Sequence, residues 1–256
     1  MDSFLIGLQF LTRISVVRQE IWTEEAFGGS VRYFPLIGAV LGCFYGGAAY
    51  LCVFVLPAWG IVPPEHLMAA VLLLLPVWLT GGIHCDGFMD TMDGLFSGRS
   101  RERMLEIMKD SCVGSNAVVA FLALMLAEYS ILLDMPKEAL PTVLFAMPII
   151  GRCMMVLVIG LFPYARPEGM GKAFAEHTGK GTMCFAGVAT CLLLAAAGCL
   201  SGAWGMLFAA LLAAFFFAMS LGRYAAKRLG GVTGDVYGAV TTLTEGLVLL
   251  VFLAIC

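Results

Sequence analysis

LMAAVLLLLPVWLTGGIHCDGFMDTMDG, Leu67–Gly94, joins two kinds of chain in one stretch. From Leu67 to Ile83 no side chain carries a charge, and the run approaches the roughly 17–25 residues a helix needs to cross a bilayer. Gly81–Gly94 then brings Asp86, Asp90, Asp93, His84 and four glycines in quick succession. An apolar run that discharges into an acidic, glycine-punctuated segment is what a membrane helix looks like where it meets a polar site.

Outward from that boundary the chain keeps the same character. Of 256 residues, 61% are hydrophobic and 13% charged, a balance that excludes an ordinary soluble domain. The net charge of −3 gives no electrostatic footprint for nucleic acid. Nine cysteines show no CxxC pair and no metal-ligand spacing, and most fall in apolar runs where a thiol packs as a small hydrophobe. The first residues lack the basic opening and small-residue cleavage site of a signal peptide. Phe4, Leu5, Leu8, Leu11 and Thr12 instead predict an amphipathic helix on or dipping into the membrane.

Apolar runs of spanning length occur at Tyr33–Leu56, Leu67–Ile83, Ala117–Leu133, Ala139–Phe162, Met183–Leu200, Ala203–Leu221 and Ala239–Cys256. The expectation is an all-α, polytopic membrane bundle of about seven spans, with residues 1–256 forming a single membrane domain. Gly38, Gly42 and Gly46 form a small-residue ridge in the first span that lets a neighbouring helix come close. Of 15 Lys and Arg, thirteen fall on one side of this alternation. They are Arg13, Arg18, Arg32, Arg99, Arg101, Arg103, Lys109, Arg166, Lys172, Lys180, Arg223, Lys227 and Arg228. Positive charge is retained inside, which predicts a cytoplasmic N-terminus and an outer C-terminus. Lys137 belongs to the far side, and Arg152, Glu128 and Glu245 fall inside spans, where an Arg152–glutamate pair would lock the bundle, a substrate contact being the alternative.

Asp86, Asp90 and Asp93 stand at i, i+4 and i+7, within roughly 60° of one helical face. Three such carboxylates repel one another unless a cation compensates them, and an all-oxygen set suits Mg²⁺ or Mn²⁺ bridged to substrate phosphates. The simpler reading has Asp90 and Asp93 solvating a helix end with Asp86 as its cap. Against it stand Gly81, Gly82, Gly87 and Gly94, better explained where a ligand or another backbone approaches closely. His84 is a candidate proton acceptor or metal ligand, or a structural histidine.

The next stretch, SGRSRERMLEIMKDSCVGS, predicts a charged amphipathic helix that sets Arg99, Arg101, Arg103 and Lys109 within reach of a bound phosphate or of lipid headgroups. Two more loops on the same side mix glycine with charge. One carries Arg166, Glu168, Lys172, Glu176 and His177, the other Lys227, Arg228, Thr233 and Asp235. Glycine-rich backbone of this kind can donate N–H groups to phosphate.

The block GGIHCDGFMDTMDG followed by SRERMLEIMKDS resembles the signature of the cobalamin synthase family, the adenosylcobinamide-GDP ribazoletransferases. QFLTR at Gln9–Arg13, RYFPLIGAVLG at Arg32–Gly42, YARPEGMG at Tyr164–Gly171 and GGVTGDVYGA at Gly230–Ala239 extend the likeness along the chain. Cys112 and Asn116 depart from it where an arginine and an aromatic are expected. The resemblance implies a Mg²⁺-dependent enzyme of the bacterial inner membrane, with its active site facing the cytoplasm. It would join adenosylcobinamide-GDP to α-ribazole or its 5′-phosphate, release GMP, and be open to a complex with other cobalamin-pathway enzymes.

On that reading Asp86, Asp90 and Asp93 hold Mg²⁺, with Asp235 a further candidate ligand or substrate contact, and one carboxylate or His84 takes the ribazole proton. Arg99, Arg101, Arg103, Lys109 and Arg166 are candidate substrate-binding cations. Three other classes compete. A CDP-alcohol phosphatidyltransferase would need a different spacing after Asp86–Gly87. A membrane prenyltransferase would need adjacent aspartates, and an ion-coupled transporter would set its acidic groups at the bilayer midplane.

Overall fold

The computed structural model describes residues 3–17 and 23–256; Arg18 lies outside them. The described chain folds into helices α1 (Ser3–Leu11), α2 (Glu24–Gly28), α3 (Phe34–Tyr50), α4 (Leu56–Ala58), α5 (Glu65–Thr80), α6 (Ile83–Leu95) and α7 (Arg101–Ile107). There follow α8 (Ser115–Asp134), α9 (Leu140–Leu161), α10 (Met170–His177), α11 (Lys180–Ser201), α12 (Trp204–Leu229) and α13 (Gly234–Ile255). Six helical stretches are long and apolar enough to cross a membrane, and the α5–α6 pair brings the total to seven if taken as one.

That pair corrects the expected span Leu67–Ile83. The helix stops at Thr80, because Gly81 and Gly82 both take left-handed backbone, φ 66° and 76°, which a residue with a Cβ adopts only under strain. Ile83 opens a new helix bent by 92° from α5. The acidic segment is therefore a helix of its own, crossing the direction of the apolar one.

The core is built around α9, of whose apolar window 83% is buried inside the protein. The ridge of Gly38, Gly42 and Gly46 lies directly on it. A Cβ on Gly38 would stand 2.5 Å from the Pro148 carbonyl oxygen, and one on Gly46 2.7 Å from that of Pro141. Removing side chains at these positions lets the two backbones meet, the packing that lipid-embedded helices favour. On its other side α9 meets α13, where Arg152 forms a buried ion pair with Glu245. Outward faces of α8, α11 and α12 expose Leu122, Leu192, Phe208 and Phe216, as lipid contact requires.

The N-terminal segment differs from its expected place on a membrane surface. Ile6, Leu8 and Leu11 of α1 are buried against the 3₁₀ turn Gly29–Tyr33 and α3, so its apolar face is spent inside the bundle. The last two spans also differ from expectation. α12 runs on to Leu229, carrying Arg223, Lys227 and Arg228, and α13 starts at Gly234, which puts Asp235 in its first turn.

Candidate functional site

The site starts from two glycines. Where α6 crosses α13, a Cβ on Gly87 would stand 2.9 Å from the Asp235 carbonyl oxygen and 3.2 Å from the Gly238 Cα. A Cβ on Gly238 would in turn meet the His84 carbonyl oxygen at 3.2 Å. With no side chain on either helix at the crossing, the first turn of α13 is pressed against the acidic face of α6. Asp90 accordingly lies in the electrostatic field of Asp235, Asp86 and Asp93, opposed by Arg166.

Loops far apart in sequence complete the wall. Tyr164 and Val232 form a single parallel β-bridge: the Ala165 N–H donates to the Val232 carbonyl and the Val232 N–H to the Pro163 carbonyl, both at 2.8 Å. This ties the segment after α9 to the one before α13 and sets Arg166 opposite Asp235. The Arg166 guanidinium donates to Asp235 Oδ2 at 2.7 Å and to the Met108 carbonyl at 3.3 Å. Thr233 caps α13 by accepting from the Val236 N–H, and its hydroxyl donates to the same Asp235 oxygen at 3.2 Å.

These elements enclose a cavity of about 310 Å³ lined by His84, Asp86, Gly87, Tyr164, Arg166, Asp235 and Tyr237, with Phe10, Leu11, Met155 and Phe174 as its apolar wall. His84 is buried, and its Nε2 has no hydrogen-bond partner among the described residues. Burial pushes the Tyr164 phenol above its ordinary range, so it remains an O–H donor in the cavity. Carboxylates, a forked cation and a buried imidazole in one lining can hold a phosphorylated substrate and accept a proton from it.

The expected residues divide. His84, Asp86, Asp90, Arg166 and Asp235 come together. Asp93 shares their helix, but its carboxylate accepts from the backbone N–H of Gly114 and, at 2.9 Å, from that of Ala117, so it caps α8. Among the described residues no three His, Cys, Asp or Glu side chains stand close enough to share an ion, and the expected Asp86, Asp90 and Asp93 triad is not formed.

Arg101 is committed to the fold. Its Nε donates to the Leu229 carbonyl at 2.6 Å and its Nη2 to that of Ala165 at 3.3 Å, which braces α7 against the ends that carry Arg166 and Asp235. Arg103 pairs with Glu106 on an exposed surface, and Arg99 is exposed. Lys109 lines a neighbouring open groove that also reaches Arg166. Tyr164 and Tyr237 were not singled out from the sequence. Their position beside Arg166 and Asp235 in glycine-bearing segments was the only available signal, and it became specific once the β-bridge joined the two segments.

A helical membrane bundle with a cavity of carboxylates, arginine and histidine at one end of its spans is the architecture of an integral-membrane enzyme for a charged substrate. The chain belongs to the cobalamin-5-phosphate synthase family, whose profile matches residues 3–253. It is 39% identical over 254 residues to the adenosylcobinamide-GDP ribazoletransferase of Desulfitobacterium hafniense, covering 98% of this chain and 96% of that one. It is likewise 39% identical over 253 residues to the enzyme of that name from Pseudomonas paraeruginosa, covering 98% and 97%. The relative of that name from Clostridium acetobutylicum is 34% identical over 253 residues. No solved structure matches the chain. Membership makes it a transferase of cobalamin biosynthesis, and the phosphatidyltransferase, prenyltransferase and transporter readings fall away.

Proposed function

We propose that the protein joins adenosylcobinamide-GDP to α-ribazole, or to its 5′-phosphate, at the cavity between α6 and α13, releasing GMP. The observation that carries the assignment to this cavity is the Gly87–Gly238 crossing, which sets Asp235 and its partner Arg166 against the Asp86–Asp90 face. In the reaction a new P–O bond forms between the ribazole 5′-oxygen and the corrinoid-linked phosphorus. The diphosphate P–O bond to the guanosine phosphate breaks, and GMP leaves with the electron pair.

The donor chemistry fits Mg²⁺, which is commonly held by one or two carboxylates together with substrate phosphates, and Asp86 and Asp90 would hold it. When bound, the ion would neutralise charge developing on the diphosphate. Arg166 donates to a diphosphate oxygen through its planar fork and orients the phosphorus for attack. His84 takes the 5′-hydroxyl proton at a ring nitrogen, and the apolar wall of Phe10, Leu11 and Phe174 keeps competing water from the reacting phosphorus. The protein works in the bacterial cytoplasmic membrane with this cavity open to the cytoplasm, a side supported by the thirteen basic residues that share it.

The test is purified protein in liposomes supplied with adenosylcobinamide-GDP and α-ribazole. Release of GMP that depends on Mg²⁺ is the expected result. Well-folded protein that releases none would overturn the assignment.

A further inference from the structure

His84 belongs to two cavities. Besides the site described above, it lines a second cavity of about 40 Å³ between α5, α8, α9 and α13, whose other polar walls are Thr80, Glu128, Arg152, Thr242 and Glu245. Several polar atoms around this space are left unserved by the protein. Arg152 Nε and Nη2 and His84 Nε2 are buried without a hydrogen-bond partner among the described residues, while Arg152 Nη1 engages Glu245. Glu128 is buried on α8 and makes no ion pair or hydrogen bond among the described residues. The facing helix leaves space for its carboxyl: a Cβ on Gly246 of α13 would stand 2.8 Å from Glu128 Oε1.

A buried polar atom left unserved costs about 1–3 kcal/mol. Three such atoms and a carboxyl around one cavity call for a small ligand that donates and accepts at once. Water fits: each molecule needs about 10–15 Å³, and polar walls retain it where an apolar cavity stays dry. A metal ion is the poorer occupant, because Arg152 puts a cation in the wall and no three His, Cys, Asp or Glu side chains converge among the described residues.

We propose that this cavity holds a small cluster of ordered waters, and that Glu128 acts through them as a positioning residue for His84. Glu128 has this role only if His84 takes the 5′-hydroxyl proton, as assigned above; the waters do not depend on it. A histidine that accepts a proton at one ring nitrogen needs a partner on the other to fix its tautomer and orientation. No side chain among the described residues serves His84 Nε2 directly. Water bonded to a carboxyl can serve it almost as well as a direct partner. Glu245 is already taken by Arg152, which leaves Glu128 as the free carboxyl of the cavity.

Two measurements test this on the full-length protein in nanodiscs. Hydroxyl radicals made by X-ray radiolysis of bound water oxidise the side chains beside it. Met147, which lines the cavity, should be oxidised at least about five-fold faster than Met154, which is also buried on α9 but lies outside the cavity. In the second measurement Glu128→Leu should lower kcat for GMP release at least about ten-fold, with KM for both substrates within about two-fold and no loss of melting temperature. Glu128→Gln, which still hydrogen-bonds to water, should recover most of that rate. In a His84→Gln background Glu128→Leu should cost little more, a non-additivity that a merely structural residue would not show.

Met147 no more reactive than Met154 would overturn the water cluster. Equal loss in the Leu and Gln variants, a rise in KM in place of the fall in kcat, or a full further loss in the His84→Gln background would overturn the positioning role. Wild-type protein that releases no GMP would remove the reaction itself and with it the role of Glu128, while the labelling of Met147 would still decide the waters.

Discussion

Gly87 of α6 and Gly238 of α13 are in backbone contact, so close that a Cβ on either would stand 3.2 Å from the other's Cα. Every carboxylate of the cavity depends on this crossing for its position. Gly87→Ala should force the helices apart by a few tenths of an ångström and separate Asp86 and Asp90 from Asp235. Overpacking of this kind costs about 1–3 kcal/mol. The expected outcome is at least a ten-fold loss of GMP release with a modestly lowered melting temperature. Wild-type rates in Gly87→Ala would show that the crossing does not position the site.

Asp90 and Asp93 are three residues apart on one helix and should behave differently. Asp90→Asn removes a carboxylate that lies in the field of Asp235 and Arg166 and should lower turnover by about 10²-fold or more while membrane insertion and melting stay near wild type. Asp93→Ala uncaps α8 at Gly114 and Ala117 and should cost about 1–2 kcal/mol of stability. Parallel melting curves and rate measurements on the two variants decide the division. Equal melting temperatures would return Asp93 to the reacting group.

The Arg152–Glu245 pair lies between α9 and α13 with the Arg152 side chain 1% exposed. Arg152→Met alone should destabilise by about 3–5 kcal/mol, because Glu245 is left charged in an apolar setting. Replacing both, Arg152→Met with Glu245→Leu, should restore most of the loss. Unfolding in a denaturing-detergent titration checks this, and a double variant no better than the single one would mean the pair itself is required.

At the opposite end of the bundle Lys137 bonds Glu65 at 2.6 Å, with side chains 49% and 64% exposed. Exposed pairs contribute about 0–1 kcal/mol, so Lys137→Ala should leave stability and GMP release within assay scatter. A marked loss of activity would connect the far loops to the chemistry.

Much of this arrangement is legible in the sequence for identifiable reasons. Span length and apolar composition are local properties, so α3, α8, α9 and α11 fall close to their expected ranges. The ridge of Gly38, Gly42 and Gly46 announces a close helix contact because small residues at that spacing have little other use in lipid. The Arg152–glutamate lock follows from the cost of an isolated charge, although only the fold selects Glu245 over Glu128. What the sequence conceals is long-range. Asp93 meets Gly114, 21 residues on, and Arg101 meets Leu229, 128 residues on, so both look like site residues until their partners are known. Helical spacing shows that three aspartates share a face and is silent on which helix crosses that face.

The double turn at Gly81 and Gly82 has a consequence for access. Because α6 leaves α5 at 92°, its carboxylates are arrayed across the direction of α5 instead of continuing along it. A bulky, water-soluble nucleotide conjugate can then lie along α6 without following α5 down its length. The acyl chains that surround the spans need never part to admit it.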